Sequence, residues 1–247
     1  MEVAVLGLGE AGGAIAVDLV AAGCTVRGFD PARQLDGIDN AASAPAAVSG
    51  AEVVLSLTSA AVALDAARSV ADELGTDTLY ADLNTGAPEL KRELARTLPG
   101  VFADVALVGT VPGSGLATPA LASGSGAERF AELFGPLGMP VEVVGPHPGD
   151  AAGLKLLRSV FMKGLAASAI ESLEAASVAG AEERVRSDIA SVIGEPLLER
   201  LLSGSRAHAA RRVDEMRAAA AYLEELGVRP RVATAAAECL EQLSDAD

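Results

Sequence analysis

The chain has 247 residues, half of them hydrophobic, but only 3% aromatic and with no Trp, so one large or two small domains must be packed with Ala, Val, Leu and Ile. A formal net charge of −15 repels phosphate backbones and argues against nucleic acid as a partner. No window offers the roughly 20 uninterrupted apolar residues of a membrane span. The apolar N-terminus lacks a basic leader and is interrupted by Glu2, Glu10 and Asp18, so a cytoplasmic protein is expected. Cys24 and Cys239 lie far apart without metal-type spacing; they read as buried thiols, and no metal site is expected.

Glu2–Leu6 is a short apolar, β-branched run, the signature of a buried strand. Gly7-Leu8-Gly9-Glu10-Ala11-Gly12 follows, then a helical stretch to about Ala22. Thr25–Phe29 is a second strand, ending at Asp30 and closed by Pro31. Ala51–Leu57 is a third, with a helix over Ala60–Leu74, and Thr78–Asp82 a fourth, with a helix over Pro88–Leu98. Val101–Val108 is a fifth strand. Gly109–Gly126 reads as a loop with a short strand around Ala120–Ala122, followed by a helix over Ala127–Leu137 and a last strand over Val141–Val144. Strands alternating with helices imply βαβ units and a mostly parallel sheet.

After Gly149 the strand signal vanishes. Helices are predicted over Ala151–Ala179, Ala181–Ile193, Pro196–Leu202, Arg206–Leu226 and Arg231–Leu243, with breaks at Gly180, Gly194, Gly204 and Gly227–Pro230. The expected fold is α/β: a Rossmann-type sheet domain over residues 1–149, then a smaller all-α domain over 150–247, joined by one long interdomain helix.

The Gly7, Gly9, Gly12 spacing sits between a strand and a helix, and the acidic Asp30 ends the next strand, which is the context that gives G-x-G-x-x-G its meaning. Gly7 permits a tight turn, Gly9 lets backbone approach a pyrophosphate, and Gly12 lets helix and strand pack closely. The N–H groups of the helix start, at Glu10 and Ala11, favour an anion. Asp30 would accept from ribose hydroxyls and repel a 2′-phosphate, which favours NAD over NADP; Arg33 leaves NADP open. Leu57, Thr58, Asn84 and Thr85 lie at strand ends that face the ligand crevice of an open parallel sheet. Asn84 and Thr85 would position nicotinamide or substrate, or else cap the helix beginning near Pro88.

The stretch from Pro148 to Gly180 reads as one helix, apolar almost all round. It carries Lys155 and Lys163; the only other lysine is Lys91. A lysine set among Ala, Gly and Leu carries a desolvation cost unless paired, and burial moves its pKa toward the range of efficient proton transfer. Against that stands a lysine lying along the helix with its head in water, or a core lysine paired to a carboxylate.

Taken together, GLGEAG at Gly7–Gly12, DVALVGTVPGSG at Asp104–Gly115 and GDAAGLKLLRS at Gly149–Ser159 resemble the β-hydroxyacid dehydrogenase and 6-phosphogluconate dehydrogenase superfamily. HAARRVDEM at His208–Met216 further resembles a short branch of it with a compact helical C-terminal module. The resemblance implies an NAD(P)-dependent dehydrogenase acting on a small anionic hydroxyacid, a homodimer formed through the C-terminal helices, and Lys155 as the acid/base on the interdomain helix. Imine reductases share the architecture, and a nicotinamide-binding regulatory protein is the alternative from another class.

The chain departs from the family pattern at two places. The usual asparagine one turn after the lysine is Ser159, whose hydroxyl would still hold a substrate oxygen. The serine of the substrate loop becomes Val108, leaving the backbone of Gly109 and Thr110 to bind a carboxylate. His208 and Arg212, at i,i+4, would bind an anionic substrate, or Arg212 and Glu215 would simply pair on a solvated surface. His147 has no partner visible in the sequence and is assigned no role.

Overall fold

A computed structural model describes residues 1–245. The chain divides into two compact units, Met1–Gly153 and Leu154–Asp247. The first is an eight-stranded sheet in the order β3-β2-β1-β4-β5-β6-β7-β8. Its strands are β1 (Glu2–Leu6), β2 (Thr25–Phe29), β3 (Asp39–Asn40), β4 (Val53–Ser56), β5 (Leu79–Asp82), β6 (Val101–Leu107), β7 (Ala120–Ser123) and β8 (Val141–Gly145). Of the pairs between these strands only β6–β7 is antiparallel, so β7 and β8 run opposite to β1–β6; the other pairs are parallel. The chain leaves β1 toward β2 and β3, then returns to place β4 on the other side of β1. That reversal creates the crevice beyond the strand C-termini where open sheets bind ligands.

The helices of this unit are α1 (Glu10–Ala21), α2 (Ala44–Val48), α3 (Ala63–Val70), α4 (Pro88–Thr97) and α5 (Ala127–Phe134). Side chains alternate across a strand, so each sheet face carries its own core. One is centred on Val5, Ile15, Leu55 and Phe130, and the other on Leu6, Val54, Val70 and Leu94. The short β3 and α2 carry too few periodic residues to stand out in the sequence. Cys24 and Cys239 are free thiols, each half-buried rather than buried.

The long helix α6 covers Asp150–Val178 and is followed by α7 (Glu182–Ile193), α8 (Glu195–Ala207), α9 (Ala209–Glu225) and α10 (Arg231–Asp245). The second unit packs Leu156, Val213, Met216 and Leu240 into one cluster and Ile170, Leu173, Leu198 and Leu202 into another. The break expected at Gly204 falls instead at His208, with α8 running through Gly204. The guanidinium of Arg212 occupies the space beside it: a Cβ on Gly204 would lie 2.6 Å from Arg212 Nη2, the end of a flexible side chain. α6 is also not apolar-buried all round, since Leu154, Leu157 and Phe161 are exposed. No helix among the described residues is long and apolar enough to cross a membrane.

At the C-terminal end of β5 and the middle of β6 lies a charge network with no solvent access. Lys91 of α4 is 0% exposed, as are Asp82 and Asp104. Its ammonium sits 2.6 Å from Asp82 Oδ2 and 3.2 Å from Asp104 Oδ1, and donates to the backbone carbonyls of Asp82 and Asn84 at 3.0 and 2.8 Å. Asp104 Oδ2 accepts from the backbone N–H of Gly149 (3.1 Å) and Ala152 (3.0 Å) and from Ser123 Oγ (3.1 Å). The sheet thus supplies the cap for the first turn of α6. Burial alone would lower the pKa of Lys91, but Asp82 and Asp104 outweigh it and raise it. A raised lysine pKa stabilises the fold at every pH below the ordinary lysine range and loses that contribution only in strong alkali. Lys91→Met, which strands two buried carboxylates, is expected to cost about 3–5 kcal/mol in urea unfolding at neutral pH; an unchanged midpoint would refute the ion pairs.

Candidate functional site

The glycine loop follows β1 at the sheet's reversal point. Gly7 adopts φ +93 and donates its N–H to Phe29 O at 2.8 Å. A Cβ on Gly7 would lie 2.5 Å from Leu57 O, and one on Gly12 only 1.9 Å from Gly7 O. Both positions therefore exclude side chains because the loop, α1 and the end of β4 close on one another. Gly9 differs: nothing lies within 4 Å of where its Cβ would be. Its hydrogen is thus required by no protein neighbour, and the open space beside it is where a pyrophosphate would approach. Gly9 is also the N-cap of α1 and makes no side-chain cap, so the helix's first N–H groups, those of Glu10, Ala11 and Gly12, face outward as anion donors. These features fit a dinucleotide.

Asp30, at the end of β2, accepts from the Leu8 N–H on Oδ2 and the Ala32 N–H on Oδ1, each at 2.9 Å. It pins the glycine loop to the turn that carries exposed Pro31. A carboxylate has about four lone-pair sites, so two remain for ribose hydroxyls.

Asn84 caps no helix. The N-cap of α4 is Ala87, without a side-chain bond. The amide nitrogen of Asn84 donates instead to Asp82 Oδ1 (2.5 Å), Ser56 Oγ (3.0 Å) and Thr58 Oγ1 (3.4 Å). The donor end is consumed, and the carbonyl end is the one left for a ligand's N–H. Leu57 and Thr58 are half-buried beside this network, and Thr85 is exposed. After β6, Gly109 and Thr110 are exposed. Their loop is tied down further along, where Asp18 Oδ2 accepts from the Leu116 N–H at 2.9 Å.

In the second unit, Lys155 is half-buried and Ser159 only 2% exposed. Ser159 Oγ hydrogen-bonds Glu215 Oε1 of α9, and Lys163 Nζ reaches the same oxygen at 2.9 Å and Ser159 Oγ at 3.1 Å. Burial pushes the Glu215 pKa up, but Lys163, Ser159 and Lys155 together hold it below the usual carboxylate range. The pairing of Arg212 with Glu215 on a solvated surface does not occur. Glu215 turns into α6, while the half-buried Arg212 donates to Ser205 Oγ at 2.8 Å. His208 is exposed at the start of α9. Sequence reading placed Lys155 and Ser159 on one face of α6. It missed Glu215 as the partner of Ser159 and Lys163, whose signal was weak: one glutamate in a charged helix. It also missed Lys91, although that residue is the only lysine outside α6. Among the described residues no group of three or more His, Cys, Asp or Glu is placed to hold a metal ion.

Comparison with known proteins accounts for both units. Residues 2–139 match the family model described as the NAD binding domain of 6-phosphogluconate dehydrogenase, and residues 176–243 match a domain of unknown function, DUF1932. The conserved protein MTH1747, whose structure was described as similar to 3-hydroxyacid dehydrogenases, is 31% identical, with 100% of this chain and 98% of that one covered and a TM-score of 0.78. An uncharacterized 28.5 kDa protein of Methanothermus fervidus is 27% identical over 173 residues, covering 68% of this chain and 66% of its own length. The 3-hydroxyisobutyrate dehydrogenase of Mycobacterium tuberculosis, solved with L-serine, shares the fold at 21% identity and a TM-score of 0.82, with 99% of this chain and 94% of that one covered.

The loop geometry separates two glycines. Gly9→Ala is expected to leave the thermal midpoint within about 1 °C while weakening NADH binding at least about tenfold, since the added methyl meets only ligand. Gly12→Ala is expected to lose both, as its methyl meets the Gly7 carbonyl. Fluorescence titration with NADH and thermal unfolding distinguish them, and equal destabilisation of both variants would contradict the open space at Gly9.

Proposed function

The chain belongs to the family of the NAD binding domain of 6-phosphogluconate dehydrogenase, and from that membership we propose that it moves hydride between nicotinamide and a small anionic hydroxyacid or its carbonyl form, with Lys155 as general acid/base. The observation that carries the proposal is the strand–loop–helix arrangement of Gly7–Gly12. Gly7 and Gly12 are closed to side chains by protein, and Gly9 is kept open for a ligand. When bound, the nicotinamide supplies or accepts the hydride.

The chain's own residues bind, orient and move the proton. The N–H groups at the start of α1 hold the pyrophosphate, and Asp30 takes the ribose hydroxyls with its remaining lone pairs. Its negative charge disfavours a 2′-phosphate, so NAD is the expected cofactor. The Asn84 carbonyl end, oriented by Asp82, Ser56 and Thr58, suits an amide N–H of the nicotinamide. Lys155 accepts the hydroxyl proton in oxidation and returns it in reduction.

The charge of α6 and α9 supports an anionic substrate. The charges of Lys163 and Lys155 act on Glu215, and that of Glu215 on Arg212, which gathers three cations in a chain of net −15. Gly109 and Thr110, exposed after β6, offer backbone N–H groups to a substrate carboxylate.

A panel of oxoacids, hydroxyacids and cyclic imines assayed with NADH and NADPH side by side tests this reading. Turnover of an oxoacid or hydroxyacid is expected, with NADH preferred, and Lys155→Ala is expected to lower kcat by about 10²–10⁴-fold. Turnover of Lys155→Ala within severalfold of wild type would remove the acid/base role. Tight NADH binding with no turnover on any carbonyl or imine would replace the enzyme by a nicotinamide-binding regulator.

A further inference from the structure

Lys155, Ser159 and Lys163 recur every fourth residue of α6 and so form one stripe along the helix. α9 lays a single carboxylate on that stripe. Glu215 Oε1 takes both Ser159 Oγ and Lys163 Nζ, with the side chains of Lys163 and Glu215 only 16% and 12% exposed. Ser159, itself buried, also accepts from Lys163, so the three groups lock one another. Lys155 stands one turn before Ser159 on the same stripe. A carboxylate has lone pairs beyond the two bonds that Ser159 and Lys163 use. Arg212 also faces Glu215 from α9, but its guanidinium is tied to Ser205.

We propose that Glu215 is the positioning residue of Lys155: its carboxylate, fixed by Ser159 and Lys163, holds the Lys155 amine on the α6 stripe in the place from which it exchanges its proton. The proposal rests on the acid/base role argued above and gives the C-terminal helices a part in the reaction. Lys163 is then the counter-ion that anchors Glu215, and it competes with Lys155 for the same carboxylate. This explains why two of the chain's lysines share one helix face. The positive charge of Lys155 acts on Glu215, as the smallest of the influences that lower its pKa.

The chain's three lysines permit a test that needs no substrate. Lys91 is 0% exposed, so acetylation of the folded, full-length protein by a water-soluble acetyl ester, followed by peptide mass spectrometry at one near-neutral pH, reads Lys155 and Lys163 alone. Only an uncharged amine is acylated, and a nearby carboxylate favours the charged form. Glu215→Gln is therefore expected to speed Lys155 acetylation at least about threefold, and Lys163→Gln, which removes the competing cation, to slow it by at least about twofold. A merely structural role, loosening the helices, would speed both. Opposite shifts uphold the proposal; shifts in one direction, or no change in Glu215→Gln, overturn it.

Once a substrate is in hand, Glu215→Gln is expected to lower kcat at least about tenfold with KM within about threefold, and Glu215→Asp to recover part of the loss. A raised KM with unchanged kcat would overturn the proposal in favour of substrate binding. Should Glu215→Gln fail to fold by circular dichroism, Glu215→Asp, whose carboxylate is drawn back by one methylene, takes its place in the acetylation assay with the same expected direction. An active Lys155→Ala enzyme would sink the acid/base reading alone, because the acetylation rates still decide whether Glu215 holds Lys155.

Discussion

Two carboxylates and one ammonium buried together leave an excess negative charge where water cannot reach. Such an arrangement is stable only when further dipoles absorb the excess. Here the N–H groups of Gly149 and Ala152 supply them, so the start of α6 becomes the electrostatic complement of Asp104. A helix N-terminus carries about half a unit of positive charge, which suits an aspartate already half-neutralised by Lys91. One point in the fold thereby ties together the end of β5, the middle of β6, α4, Ser123 of β7 and the first turn of α6. Gly149 completes it sterically: at φ +101, a Cβ there would meet Pro88 at 2.9 Å. The same network reaches Asn84. Asp82 binds Lys91 with Oδ2 and the Asn84 amide with Oδ1, so the rotamer of that amide depends on a lysine that never sees solvent. The hydroxyl of Tyr80, buried beside Asp82, has its pKa pushed above the usual tyrosine range, chiefly by burial. The environment thus keeps that phenol neutral next to the ion pairs.

The glycine loop is organised in the same way, by protein contacts made before any ligand arrives. Asp30 holds the Leu8 N–H and its own turn at Ala32, and the Gly7–Leu57 and Gly12–Gly7 approaches leave the backbone one conformation. Pre-organisation of this kind reduces the ordering that binding would otherwise require.

The alternating half of the chain was legible in the sequence because buried parallel strands and amphipathic helices announce themselves by run length and period. β1 and β2 have the predicted ends, and the antiparallel strand after the Gly109 loop lies where Ala120–Ala122 suggested. What sequence reading missed follows a common cause. Gly204 looked like a break because glycine usually punctuates, yet α8 runs through it and Arg212 from another helix occupies the space beside it. Asn84 was open to capping because it precedes Pro88 as well as to facing a ligand, and its partners, Ser56, Thr58 and Asp82, exclude the cap. Glu215 looked solvated because its neighbours in α9 are charged, yet its partners lie on α6. In each case the deciding contact came from a neighbouring element rather than from the residue's own stretch of chain.

Lysine usage ties these points together. In a chain where arginine supplies almost all positive charge, each described role for lysine involves a carboxylate. Lys91 lies between Asp82 and Asp104, Lys163 lies on Glu215, and Lys155 lies within the field of Glu215. The chemistry explains the division. A guanidinium is planar, always charged and content at a wet surface, as in the pairs of Arg96 with Glu89 and Arg217 with Glu241. An ammonium is a compact point charge whose protonation responds to burial and to neighbours. Burying it completely between two carboxylates, as at Lys91, fixes that response and makes a structural ion. Lys155 differs in being half-buried rather than sealed from water, so its ammonium is not locked in the way that of Lys91 is.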